Sequence, residues 1–153
     1  MRDKPIKLFY CYSHKDEASR EKLEAHLKIL ERQGYLKGWR DRDIEAGGEW
    51  ATEIDKSLND ADIILLLVSA NFLASDYSYG IEMARAMQRQ EAGEARVIPV
   101  ILRPCLWHNA PFGKLQALPK DGKPITSWGD EDEALLNVAE GISRVIDRLT
   151  SQP

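Results

Sequence analysis

The chain has 153 residues, the size of one domain, and 43% of them are hydrophobic, enough for a sizeable core. A formal net charge of −4, with no block of lysine and arginine, argues against a surface built to neutralise nucleic-acid phosphates or anionic lipid. The longest apolar run, Ile63 to Val68, is roughly a third of a membrane span, and the opening MRDKP is not a signal peptide, so the expectation is a cytoplasmic domain without nucleic-acid or membrane partners.

In chain order, IKLFYCY (6–12) reads as a buried strand, and the following SHKD as a helix start, with Ser13 accepting from the backbone near Asp16. Leu23, Leu27 and Leu30 recur at helical spacing until Gly34 supplies a stop. YLKGW (35–39) is a weaker strand candidate, and after the polar stretch 40–49 the residues Trp50, Ile54 and Leu58 mark one face of a short helix. DIILLLVS (62–69) is apolar without alternation, as a parallel strand covered on both faces requires. The segment after Tyr77 turns helical, with Met83, Ala84 and Met87 on one side. RVIPVIL (96–102) predicts another buried strand and KPITSW (123–128) a short fifth. Asp130 and Glu133 cap a last helix whose stripe of Leu135, Leu136, Val138, Ala139, Ile142, Val145, Ile146 and Leu149 is core packing.

Strands alternating with helices predict a single α/β domain over 1–153, with its core at about 6–149. The expected sheet is a flavodoxin-like five-stranded parallel sheet of order 2-1-3-4-5 with helices on both faces. Ligands of such sheets sit beyond the carboxyl ends of the strands, where strand order reverses. Tyr12, Ser13 and His14, the loop 40–49 and the stretch Tyr77 to Glu82 then share one rim, and the long irregular stretch 103–122 is a candidate cover.

Several occupations of this architecture fail on the residues at the strand ends. Ser13-His14, Ser69 and Ser127-Trp128 stand where a phosphoacceptor regulator needs an acidic pair, an aspartate and a lysine. YSHKDE lacks the glycines of a dinucleotide-binding turn, Gly47-Gly48 is followed by Glu49-Trp50 rather than by Lys and Ser/Thr, and there is no G-x-S-x-G elbow. Cys11 and Cys105 have no CxxC spacing and read as free thiols; His14, His26 and His108 are scattered, so no metal site is expected. What remains is a rim with aromatics and one acid, Glu82, in the mild run SDYSYGIEMARA (75–86).

These residues resemble the Toll/interleukin-1 receptor (TIR) domain family, and its bacterial members by wording. LFYCYSHKDE is similar to the opening strand and first box. WRDRDIEAGGEW and the residues up to SYGIEMARA resemble the second box, the BB loop and the strand-helix segment ending in a glutamate, and RVIPVILRPCLW resembles the fourth strand. The resemblance covers about 6–149. It implies one of two functions: cleavage of the nicotinamide–ribose bond of NAD⁺ to nicotinamide and linear or cyclic ADP-ribose, as in bacterial anti-phage defence, or a non-enzymatic scaffold binding other TIR domains. A third is an effector mimicking host TIR domains. NAD⁺ is then a substrate, no cofactor is needed, and self-association belongs to the mechanism. The ending TSQP, just past the last helix, suggests a domain cut from a longer protein.

By its place in the motif, Glu82 is the implied catalytic carboxylate. One acid is enough, because the leaving group is already a pyridinium cation and departs neutral, whereas a glycosidase also needs an acid to protonate its leaving alcohol. A carboxylate in the first turns of a helix is favoured in its ionised form, though acids are common there for helix stability alone. The resemblance further implies substrate contacts at Phe9, Tyr12, Ser13, Asp41, Asp43, Tyr77, Tyr79 and Trp107. Plainer readings are core for Phe9, turn formation for the two aspartates and burial for Trp107. Arg42, Ile44, Ala46, Gly47 and Gly48 belong to the BB loop that the family uses for contacts between domains. Ser78 stands where many enzymatic members carry tryptophan, with Tyr77 and Tyr79 beside it as replacement stacking surfaces.

Overall fold

The computed structural model of the protein describes residues 5–39, 56–75 and 81–151, without the side chains of Trp39 and Ile81. Strands β1 (Ile6–Cys11), β2 (Leu36–Trp39), β3 (Ile63–Val68) and β4 (Arg96–Ile101) form a parallel sheet of order β2-β1-β3-β4. Between and after them run α1 (Glu17–Arg32), α2 (56–60), α3 (Ala70–Ala74), α4 (Ile81–Glu91) and α5 (Glu131–Ser151). The predicted helix positions Trp50 and Ile54 lie outside the described residues; Leu58 of α2 is buried as expected.

Period-two alternation along each strand sorts the core into two layers. Ile6, Leu8 and Tyr10 of β1, Ile63, Leu65 and Leu67 of β3 and Ile98 and Val100 of β4 meet Leu23 and Leu27 of α1 and Leu135, Val138, Ile142 and Ile146 of α5. The intervening residues, Phe9, Cys11, Ile64, Leu66, Val68, Val97 and Ile101, meet Leu58, Phe72, Met83 and Ala86 from α2, α3 and α4. Every residue of β3 is therefore buried, each large aliphatic side chain contributing about 1.5–3 kcal/mol relative to exposure.

Sequence signals set the helix ends. Gly34, at φ +80°, ends α1 while its N–H donates to the Glu31 carbonyl and Tyr35 N–H to that of Leu30. Asp130 caps α5 by accepting from the Asp132 N–H at 2.8 Å. Ser13 does cap a short 3-10 turn, His14–Asp16, that leads into α1, but its hydroxyl accepts from Lys15 N–H, while Asp16 N–H goes to its carbonyl.

The expected fifth strand is not formed. Residues 125–127 make a 3-10 turn instead, because Pro124 has no N–H to offer a ladder and the Trp128 indole N–H fixes the turn by donating to the Lys123 carbonyl at 3.1 Å. The outer edge of β4 is occupied by a single residue, Leu118, whose N–H donates to the Pro99 carbonyl and whose carbonyl accepts from Ile101. Two positions expected on apolar faces also differ. Leu136 is 51% exposed because the buried stripe of α5 follows 135, 138, 139, 142 and 146, and Ala84 is exposed because Ala86, one turn after Met83, takes the inward place on α4.

Candidate functional site

Glu82 lies in the first turn of α4, half-buried, next to Met83, which anchors that turn in the core. Among the described residues it forms no hydrogen bond or ion pair, so its carboxylate is not committed to a structural partner. Positions 82, 85, 86 and 89 share one side of α4 at 100° per residue. Ala86 and Arg89 are buried there, and Arg85 and Arg89 carry that side onto α2.

Arg89 is the firmest of these contacts. Its guanidinium donates to the carbonyls of Leu58 and Ala61, each at 2.7 Å, and to that of Glu94 at 3.2 Å, with the Glu94 carboxylate 3.6 Å from Nε. The orphan carbonyls at the end of α2 are thereby satisfied by a side chain of α4, which locks the two helices together. Arg85 adds a bond from Nε to Asn59 Oδ1 at 2.7 Å. The reading of the sequence missed both arginines. Their spacing of three and seven residues from Glu82 was the available signal, but arginines at such spacing ordinarily mark a solvated face.

At the carboxyl ends of the strands a second polar cluster joins Asp16, Ser69 and Arg103, none of them a site candidate from the sequence. Asp16, 1% exposed, accepts from the Ser69 hydroxyl at 2.5 Å, and its other oxygen, buried without a hydrogen bond, lies 3.4 Å from Arg103. Ser69 also caps α3 by accepting from Phe72 N–H at 3.1 Å. The segments leaving β1, β3 and β4 are thus tied at one rim. Beside them, Tyr12, half-buried, donates to Glu17 at 2.6 Å, and Arg20, buried, pairs with Glu17 and Glu24 and lies over the Tyr12 ring. Burial disfavours the Arg20 charge, but the hydrogen bond to Glu17 and the charges of Glu24 and Glu17 outweigh it and hold the guanidinium above its ordinary pKa.

Phe9 and Trp107 belong to one buried cluster with Met83, so both are core side chains beneath α4. Trp107 also stacks on His108, with ring centroids 3.8 Å apart. The stretch 103–122 is anchored rather than free-standing: Phe112 is fully buried and packs 6.1 Å from Phe72, centroid to centroid, and burial pushes the half-exposed Cys105 thiol up, a hydrogen bond with the Trp107 backbone partly opposing it. Tyr77, Ser78, Tyr79, Asp41, Arg42, Asp43, Ile44, Ala46, Gly47 and Gly48 lie outside the described residues. Among the described residues no group of three or more His, Cys, Asp or Glu converges as metal ligands, and no helix is long and apolar enough to cross a membrane. A groove of about 580 Å³ opens between Arg96–Ile98, Gln90 and the last turns of α5. Gln90 is about 12 Å along α4 from Glu82, so this groove is not the space before the carboxylate.

Comparison with known proteins covers most of the chain. A family model described as "TIR domain" matches residues 8–136. An uncharacterized protein of Sinorhizobium fredii, y4lF, is 57% identical over 143 residues; the alignment takes in 94% of this chain but only 44% of that protein's length. Among solved structures, the TIR domain of the Toll-related receptor TRR-2 from Hydra magnipapillata is similar over 92% of this chain and 97% of its own, with a TM-score of 0.57 at 22% identity. The RPS4 and RRS1 TIR domain heterodimer is similar over 92% and 97%, with a TM-score of 0.53 at 13% identity.

Proposed function

The chain belongs to the TIR domain family, and from that premise we propose that it cleaves the bond between nicotinamide and ribose in NAD⁺, with Glu82 as the catalytic carboxylate. The observation that carries the reading is a half-buried acid in the first turn of α4 with no structural partner among the described residues. Water can satisfy a half-exposed carboxylate, so Glu82 stays open to a ligand, and its place in the family motif is what gives it the catalytic role in this reading.

The reaction asks little of the protein. As the C1′–N bond breaks, its electron pair moves to the pyridinium nitrogen and nicotinamide leaves neutral. The ribose becomes oxocarbenium-like, and a carboxylate aimed at that ring offsets the developing charge. Capture by water gives ADP-ribose and a proton; capture by a nitrogen of the adenine gives a cyclic isomer. Self-association through the BB loop, with Arg42, Ile44, Ala46, Gly47 and Gly48, completes the proposal, alongside substrate contacts from Tyr12, Ser13, Asp41, Asp43, Tyr77 and Tyr79. Phe9 and Trp107, buried in the cluster that holds Met83, support the site by packing rather than by touching the substrate. A role in bacterial immune signalling inside the cytoplasm accompanies this reading.

The second reading is an association module without catalysis, for which the RPS4 and RRS1 heterodimer of TIR domains is the precedent. Nicotinamide release from NAD⁺ by the concentrated chain separates the two. Loss of release in both Glu82→Ala and Glu82→Gln, with unchanged folding, supports the enzyme. Absence of release from the wild-type chain after assembly has been demonstrated by light scattering overturns it.

A further inference from the structure

Arg85 follows Glu82 by three residues, and positions 82, 85 and 89 fall within about 60° of one another around α4. Neighbours at this spacing are within reach of each other and ordinarily pair when their charges are opposite. Here they do not. Arg85 instead spends its Nε on Asn59 Oδ1 at 2.7 Å. Arg89, one turn on, is buried against the carbonyls of Leu58 and Ala61, so the side of α4 bearing Arg85 is fixed against α2.

The result is a cation with one edge anchored and the other open. Arg85 is exposed, and among the described residues its two terminal nitrogens have no partner. A guanidinium offers five N–H donors, of which Asn59 uses one, and the four on the terminal nitrogens match two oxygens of a phosphate. The net charge of −4 gives the chain no overall attraction for an anion. Anion recognition near Glu82 therefore has to be local, and a carboxylate placed beside a phosphate-bearing ligand needs a cation to offset the repulsion.

We propose that Arg85, held by Asn59, binds the diphosphate of a dinucleotide substrate whose nicotinamide ribose lies at Glu82. The ligand's identity rests on the reading of Glu82 given above, but the phosphate site is testable by binding alone. The probe is ADP-ribose, titrated calorimetrically into concentrated wild-type chain, Arg85→Gln, Arg85→Lys and Asn59→Ala at two ionic strengths, with thermal melting as the control for folding. Arg85→Gln is expected to weaken ADP-ribose about tenfold and to flatten the salt dependence of its affinity, Arg85→Lys to lose less, and Asn59→Ala to fall between wild type and Arg85→Gln. In NAD⁺ turnover, Arg85→Gln raises KM and leaves kcat within about twofold.

Equal affinity in wild type and Arg85→Gln, an unchanged salt dependence, or no ADP-ribose binding to the wild-type chain overturns the proposal. Arg85-dependent binding without nicotinamide release leaves the phosphate site standing and removes the proposed hydrolysis. Glu82-dependent release with an unchanged KM in Arg85→Gln does the reverse.

Discussion

Arg89→Ala removes the side chain that joins α4 to α2, and its cost follows from the geometry. Two buried carbonyls, those of Leu58 and Ala61, each lose an N–H donor at 2.7 Å, and that of Glu94 loses a weaker one at 3.2 Å. A buried acceptor left unpaired costs about 1–3 kcal/mol. Two such acceptors give about 2–6 kcal/mol, and entry of water into the vacated space brings the expectation to about 3 kcal/mol. For a chain of this length that is roughly 6–12 °C in Tm. The assay is urea unfolding followed by circular dichroism, with the slope of free energy against denaturant held constant. Arg89→Met keeps an apolar stem without donors and is expected to lose nearly as much as alanine, whereas Arg89→Lys keeps a charged donor and loses less. A loss below about 0.5 kcal/mol in Arg89→Ala, or wild-type stability in Arg89→Met, refutes the assignment of the clamp to hydrogen bonding.

Three further outcomes are expected. A Cβ at position 141 stands 2.7 and 2.8 Å from the Leu118 methyls. Gly141→Ala therefore costs about 1 kcal/mol in the wild-type chain and stabilises by up to about 1 kcal/mol in a Leu118→Ala background, so denaturation of the double-mutant cycle reads a coupling of about 2 kcal/mol. The Lys22–Glu131 pair, 2.9 Å long with both side chains more than half exposed, contributes little, and Lys22→Ala shifts urea unfolding by less than about 0.5 kcal/mol. Burial raises the Cys105 pKa, so its thiolate fraction at neutral pH is below that of a free thiol. The rate of alkylation by iodoacetamide, followed by mass spectrometry, rises with pH about a midpoint above that of a free cysteine peptide measured alongside, and a midpoint at or below the peptide's contradicts the assignment.

The parts of the fold legible in the sequence were those whose signal is local. IILLLV needs burial on both faces and can be little but a central parallel strand, and Gly34 ends α1 by a conformation that few other residues adopt. KPITSW carries the same β-branched and aromatic cues as an edge strand, yet strand pairing is decided by what the neighbouring edge offers, and Leu118, five residues before that stretch, occupies it. The site divides in the same way. Glu82 is a candidate already in the sequence, because a lone acid in a mild helical run stands out and the resemblance to the family motif points to its place. Arg89 and Asp16 are not, because a buried charge becomes intelligible only when its partners, here Leu58, Ala61, Ser69 and Arg103, arrive from other segments.

The two outer strands meet solvent in a way that bears on how copies of the chain can associate. On β4 the outward N–H of Val97 is taken by the Gln90 side chain at 2.7 Å, Pro99 has none, and Leu118 satisfies Ile101. On β2 the outward N–H of Gly38 is taken by Glu31 at 3.1 Å. An incoming strand would have to displace a side chain at either flank before forming its first ladder bond, and along β4 it would still lack a donor at the proline. Growth by sheet continuation, the route to amyloid-like fibres, is thereby discouraged at both flanks, and ordered stacking of this domain is left to its helices and loops, where contacts are set by side chains and can be reversed.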